Sequence, residues 1–194
     1  MLGLKLPTDP RWVNIVEKRI EDILVDHAYC EQKAASSCIS LIVGFSDKKE
    51  LVDVLSPIVS EEWGHFRMVL AELEKRGYTL GKQRKDEYVA ALSQFIKKGG
   101  DRNDQLVEKL LMNALIEARS CERFRLLSMN MQEEALKKFY HDLMASEAGH
   151  YRTFIDLAKK YGRSEAIVMA RWQEWLNYEK ELLDSWELRG DRMH

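Results

Sequence analysis

Glycine and proline are both scarce in this sequence, with only 10 glycines and three prolines among 194 residues. These two residues disrupt helices more than any others, whereas the helix-favouring Ala, Leu, Glu, Lys and Met are plentiful. The composition therefore predicts an all-α fold. A chain of this length can bury a sizeable core without disulfides or structural metals, so we expect a single domain over residues 1–194.

Cysteine is equally scarce, because the chain has only Cys30, Cys38 and Cys121 and no C-x-x-C pair. This odd and widely spaced set argues against a disulfide framework and against a zinc site. Long apolar runs are missing too: the longest, around residues 38–45, is far shorter than the roughly 20 residues that span a bilayer. The N-terminus does not resemble a secretory signal, so the sequence predicts a cytoplasmic protein without a membrane segment.

An excess of positive charge is also missing, since the formal net charge is −2. The chain is therefore not a polycation of the kind that binds nucleic acid through overall charge. Any contact with nucleic acid must come from a local basic patch.

Apolar residues recur at steps of three and four along most of the chain, which is the period of a helix with one buried face. The predicted long helices cover about residues 10–45, 47–76, 102–129 and 133–161. Asp9 before Pro10 is a typical start for the first helix, which we expect to be broken near its beginning. Asp47 and Glu50 resemble a capping box for the second helix.

The segment between the second and third helices has only one short amphipathic stretch, about residues 87–97, and is interpreted as a long crossover connection. After the fourth helix, Ser164 can cap a fifth. Trp172, Trp175 and Trp186 are assigned to this fifth helix, which is expected to pack outside the bundle of four.

Carboxylates and histidines interrupt the apolar rows of the four long helices in a repeated pattern. The second helix contains Glu62-Trp-Gly-His65-Phe-Arg, and the fourth contains Glu147-Ala-Gly-His150-Tyr-Arg. An inward glutamate on the preceding helix lies 31 residues before the first motif, at Glu31, and 30 residues before the second, at Glu117. Each half of the chain is thus a helix pair that carries one Glu and one Glu-x-x-His.

This pattern is that of the ferritin-like proteins that bind two iron or two manganese ions inside a four-helix bundle. Residues three apart share a helical face, so each Glu-x-x-His presents an oxygen and a nitrogen ligand to one point. The predicted metal ligands are Glu31, Glu62, His65, Glu117, Glu147 and His150. The alternative is a buried polar network without metal, in which each unpaired carboxylate would cost several kcal/mol.

Two positions near these ligands stay open in the sequence. Glu122 competes with Glu117 as the carboxylate of the third helix, although its helical row is less consistently apolar. His27 lies one turn before Glu31 and is interpreted either as a partner of that carboxylate or as a core histidine with other partners.

Five stretches of the chain resemble the MiaE family of tRNA hydroxylases, and the resemblance covers nearly the whole sequence. They are LPTDPRWV (6–13), DHAYCEQKAA (26–35), SEEWGHF (60–66), LIEARSCERF (115–124) and SEAGHYRTF (146–154). The resemblance implies that the six predicted ligands bind two iron ions. It also implies O₂-dependent hydroxylation of the isopentenyl group of 2-methylthio-N6-isopentenyladenosine, the modified base next to the tRNA anticodon.

Such a reaction needs O₂ as co-substrate and an external electron donor, which would be a reductase or a ferredoxin-like protein. The same six ligands would also suit a rubrerythrin-like di-iron peroxidase or a ferroxidase, and this alternative stays open. A third alternative is a structural bundle without enzymatic activity.

A tRNA substrate predicts basic residues around the entrance to the site. The first candidates lie in the crossover: Lys82, Arg84, Lys85, Lys97, Lys98 and Arg102. A second candidate set lies on the third helix: Arg119, Arg123 and Arg125, of which one or two are expected to pair with carboxylates instead. Ordinary solvated surface charge is the alternative interpretation of the crossover set.

Overall fold

The structure of the protein is a computed structural model that describes residues 2–194. These residues form helices and connecting segments and contain no strand. The helices are α1 (Arg11–Val16), α2 (Ile20–Gly44), α3 (Lys49–Lys75), α4 (Glu87–Phe95), α5 (Arg102–Asn130), α6 (Glu134–Tyr161) and α7 (Glu165–Asp184). Within the described residues, no helix combines the length and the apolar character needed to cross a membrane.

The helices predicted from periodicity are confirmed to within a few residues, and two details are corrected. The first long helix is interrupted near its start by a 3-10 turn at Glu17–Arg19, as expected. Lys48 rather than Asp47 precedes the first residue of α3 and makes no capping hydrogen bond with its side chain, so the predicted capping box is wrong. Trp186 lies beyond α7, which ends at Asp184.

One compact unit comprises residues 14–85 and 189–193, and its main elements are α2 and α3. Only residues 45–48 separate the two helices, and so short a loop makes packed neighbours antiparallel. The end of the chain is bonded into this unit, because the Met193 N–H donates to Asp26 at 2.7 Å. Arg84 donates to the carboxylate of Asp191 at 3.0 Å. The side chain of Arg84 is therefore engaged within the protein, so Arg84 is not one of the free basic residues predicted around the entrance to the site.

The other unit comprises the residues up to Val13, residues 86–188 and His194, and its main elements are α5 and α6. Asp101 caps α5 in a capping box with Asp104, and Ser164 caps α7 as predicted. Helix α7 packs against α4, α5 and α6 and buries Trp172 and Trp175.

A fully buried arginine organises the interior of this second unit. Arg119 has no exposed surface and donates to both carboxylate oxygens of Glu179, at 2.7 and 2.9 Å. It also donates to Glu122 at 3.0 Å and to the carbonyl of Leu6 at 2.9 Å. Two-point guanidinium–carboxylate contacts are among the strongest hydrogen bonds in proteins. Arg119 therefore joins α5, α7 and the N-terminal segment, and it is not the phosphate contact suggested by the sequence.

Arg123 is also buried and stacks over the ring of Trp12 at 4.8 Å. Burial lowers the pKa of Arg123 to about 10, with the nearby Arg119 charge acting in the same direction. Of the three arginines proposed for phosphate binding on the third helix, only Arg125 is exposed.

Replacing Glu179 by alanine should destabilise the protein by about 3–5 kcal/mol, because it leaves the Arg119 charge buried without its carboxylate. The double variant R119M/E179L should recover part of this loss, since it removes the Arg119–Glu179 pair and keeps apolar volume, while the Glu122 carboxylate loses the guanidinium that donates to it. Urea unfolding measures both effects. Glu181→Ala, an exposed position on α7, is the control and should change the free energy of unfolding by less than about 0.5 kcal/mol. A cost of similar size at Glu181 would contradict this account.

Candidate metal centre

The first half of the repeat brings Glu31, Glu62 and His65 together within one unit. Glu31 comes from α2, while Glu62 and His65 lie one turn apart on α3. Ligand atoms of all three residues lie within 4.8 Å of one another. Both carboxylates are buried, and the imidazole is largely buried. The spacing of three residues predicted this shared face, and the packing of α2 against α3 adds Glu31 to it.

Two imidazoles lie against the Glu31 carboxylate. Its Oε1 lies 2.6 Å from Nε2 of His27, and its Oε2 lies 3.4 Å from Nδ1 of His65. Burial by itself would raise the pKa of Glu31, but the interactions with His27 and His65 outweigh burial and lower the pKa below its usual value. The carboxylate is therefore kept ionised. The structure therefore favours the interpretation of His27 as a partner of Glu31 over that of a core histidine with other partners.

The second half of the repeat brings Glu117, Glu147 and His150 together in the other unit. Glu117 lies on α5, and Glu147 and His150 lie one turn apart on α6. Their ligand atoms are again within 4.8 Å of one another, and all three residues are buried. Ser146, which the sequence analysis did not single out, places its Oγ 3.4 Å from Nε2 of His150. No periodicity marked this serine, because its role depends on the rotamer of the histidine.

Glu122, the alternative carboxylate on α5, has other partners. Its two oxygens accept hydrogen bonds from the backbone N–H and the hydroxyl of Thr8, at 2.9 and 2.6 Å. Arg119 donates to it as well. Glu122 thus belongs to the ionic network of the unit, whereas Glu117 lies with Glu147 and His150.

A buried thiol lies near a carboxylate in each half. Burial raises the pKa of Cys38 to about 12, with the negative charge of Glu62 acting in the same direction. Burial and the charge of Glu147 likewise raise the pKa of Cys121 to about 12. Both thiols are therefore protonated at neutral pH.

The chemistry of each donor set suits a divalent cation. Each set buries two carboxylates within 4.8 Å of one another, where their charges repel and lose their hydration at a cost in free energy. A cation that binds both carboxylates would offset it. Oxygen and imidazole-nitrogen donors without thiolate favour iron or manganese over the softer metals. Each set therefore fits one half of a di-iron carboxylate centre.

Helix pairs that each contribute one Glu and one Glu-x-x-His define a class of proteins, the ferritin-like di-metal carboxylate proteins. Residues 2–194 match the family model described as "tRNA-(MS[2]IO[6]A)-hydroxylase (MiaE)". The chain belongs to this family. The family consists of enzymes, and the resemblance inferred from sequence motifs is confirmed.

Two similar proteins carry the name tRNA 2-(methylsulfanyl)-N(6)-isopentenyladenosine(37) hydroxylase. The one from Pseudomonas putida is 37% identical over 159 residues, which cover 82% of this chain and 76% of that protein. The one from Salmonella typhimurium is 30% identical over 124 residues, which cover 64% of this chain and 45% of that protein.

A solved structure, "Protein 43 with aldehyde deformylating oxygenase activity from Synechococcus", is similar with a TM-score of 0.91 and 32% sequence identity. The similarity covers 98% of this chain and 94% of that one. The predicted fold class, an all-α ferritin-like bundle with a long crossover and an additional C-terminal helix, is thereby confirmed.

Glu117→Gln should lower the affinity for iron by more than roughly 10-fold, because it removes a ligand charge, whereas Glu122→Gln should leave iron binding intact. The second variant should instead lose about 1–3 kcal/mol of stability, since Arg119 and Thr8 lose a charged acceptor. Iron titration and urea unfolding separate the two effects. Loss of iron in the Glu122 variant alone would reverse the assignment.

Proposed function

We propose that this protein is an O₂-dependent di-iron monooxygenase that hydroxylates the isopentenyl group of 2-methylthio-N6-isopentenyladenosine next to the anticodon of tRNA. The observation that supports this most strongly is the pair of buried Glu and Glu-x-x-His sets in a member of the MiaE family. The relatives from Pseudomonas putida and Salmonella typhimurium carry the name of this activity.

In this proposal the two units form one di-iron domain, and the two donor sets supply six ligands to two iron ions. The ligands are Glu31, Glu62, His65, Glu117, Glu147 and His150. When bound, the iron ions would supply the activation of O₂ and the oxidation of a C–H bond. The remaining tasks, which are orientation and exclusion of water, fall to the protein.

Several residues contribute to these tasks through identified contacts. His27 keeps the Glu31 carboxylate ionised and oriented before a metal binds. The hydroxyl of Ser146 lies beside the imidazole of His150 and restrains its rotation. The glutamates of both Glu-x-x-His motifs and His150 are buried, which keeps bulk water from their donor atoms and strengthens the electrostatic interactions there.

The reaction consumes two electrons beyond those of the substrate, so an external donor such as a reductase or a ferredoxin-like protein is part of the proposal. Both tRNA and such donors would be met in the cytoplasm. Four crossover residues suggested for tRNA contact are exposed: Lys82, Lys85, Lys98 and Arg102. Lys97 is exposed too, but it donates to Glu174 at 2.9 Å.

Mass analysis of nucleosides from prenylated tRNA tests the reaction directly. The iron-loaded protein, incubated with O₂ and a reductant, should add one oxygen atom to the prenylated adenosine. Glu147→Ala should abolish the product, because it removes a proposed ligand. Iron binding and consumption of peroxide without any oxygenated nucleoside would support the peroxidase alternative, and loss of Fe(II) without substrate oxidation would support a ferroxidase.

The double variant K82A/K85A should weaken tRNA binding. It should also make the negative slope of log K against log salt concentration shallower by about two, one for each lost phosphate contact. Filter binding at several salt concentrations measures this slope. Lys138→Ala is the matched control, since Lys138 is exposed and pairs with Asp142. An unchanged slope in K82A/K85A would remove these lysines from the tRNA interface.

A further inference from the structure

Trp63 differs from most tryptophans of this chain because 48% of its surface is exposed. Trp12, Trp172 and Trp175 are at most 2% exposed, as expected for the largest apolar side chains of a helical core. Trp63 lies on α3, directly after Glu62, and its ring contacts Phe66 at a centroid distance of 4.9 Å. Tryptophan is highly buried on average, so an indole that is half exposed beside a proposed ligand is a candidate contact for a substrate.

The neighbours of Trp63 on α3 leave room for a ligand and add a positive charge. Apart from its two chain neighbours and the nearby backbone of its own helix, no described atom lies within 4 Å of a Cβ built on Gly64, so packing against other elements does not require a glycine there. A glycine in the middle of a helix costs about 1 kcal/mol relative to alanine. Arg67 is exposed and lies one turn after Trp63, about 40° away around the helix axis.

The two copies of the internal repeat differ at the position of Trp63, because only the first copy has an aromatic residue there. Ala148 occupies the place of Trp63 in the second copy, whereas Gly149 and Arg152 correspond to Gly64 and Arg67. Two copies with the same ligand spacing therefore differ in the large side chain next to the first ligand. Metal binding does not account for Trp63, because the second copy presents its ligands without an aromatic residue at that position.

We propose that Trp63 is a stacking platform for an unpaired base of the tRNA anticodon loop, and that Arg67 contacts an adjacent phosphate. This inference rests on the proposed function, from which it takes the substrate. Proteins that bind single-stranded RNA stack bases on exposed aromatic rings and place cations beside them for the backbone. The open position at Gly64 lets a flat base approach the helix beside the indole.

Binding of an RNA stem–loop that carries the prenylated adenosine tests the platform without turnover. Trp63→Ala should weaken binding roughly 10-fold, the effect of losing one base stack. Trp63→Phe should bind within about 2-fold of the unmodified protein, because a phenyl ring still stacks. Arg67→Gln should make the negative slope of log K against log salt concentration shallower by about one, because one phosphate contact is lost.

Trp186→Ala is the matched control, since Trp186 is 37% exposed and lies outside the helices. It should leave stem–loop binding unchanged. Circular dichroism and the melting temperature establish that each variant is folded, and the exposure of Trp63 predicts little change in either.

Equal binding by Trp63→Ala and the unmodified protein overturns the inference. If the same variant instead slows reduction of the iron by an electron-transfer protein, the surface serves that protein and the RNA assignment is wrong. Failure of the unmodified protein to bind the stem–loop also overturns it. A protein that binds the stem–loop through Trp63 but adds no oxygen refutes the proposed hydroxylation and leaves the platform supported.

Discussion

Burial of charged groups between helices is the constraint on which the rest of this structure depends. Glu31, Glu62, Glu117 and Glu147 lose most of their contact with water, and each would cost several kcal/mol if left uncompensated. Imidazoles lie beside these carboxylates, and proposed cations would complete the compensation. Elsewhere a guanidinium does the same for a buried carboxylate, as in the pair Arg119–Glu179. Because these contacts need correct geometry, they also specify the register of the helices that carry them.

The two halves of the repeat share a ligand pattern but differ in what supports it. His27 lies one turn before Glu31 and bonds its carboxylate at 2.6 Å. The corresponding residue before Glu117 is Asn113, whose side chain donates to the backbone carbonyl of Lys109. One carboxylate is thus oriented and kept ionised by a histidine on its own helix, whereas the other half has an asparagine at the corresponding position. A repeated motif can therefore place the same donor types in two chemically different surroundings.

The arginines illustrate why charge in a sequence does not identify a surface. Arg119 and Arg123 were reasonable candidates for phosphate contacts, since both lie on a helix with an inward carboxylate. The structure buries both, because Glu179 approaches Arg119 from α7 and Trp12 covers Arg123 from the N-terminal segment. Partners that come from distant parts of the chain leave no periodic signal around the arginine itself. Arg125, two residues further along, stays exposed.

Local rules determined much of this protein. The period of the apolar rows defined the helices to within a few residues, and the spacing of three in each Glu-x-x-His placed two donors on one face, because helix geometry depends only on neighbours along the chain. Choices between chemically similar residues needed tertiary structure. Glu117 and Glu122 both fitted the third helix, and only the approach of Thr8 from the N-terminal segment assigned Glu122 to other partners. The exposure of Trp63 was decided in the same way, since the burial of a side chain depends on residues distant in sequence.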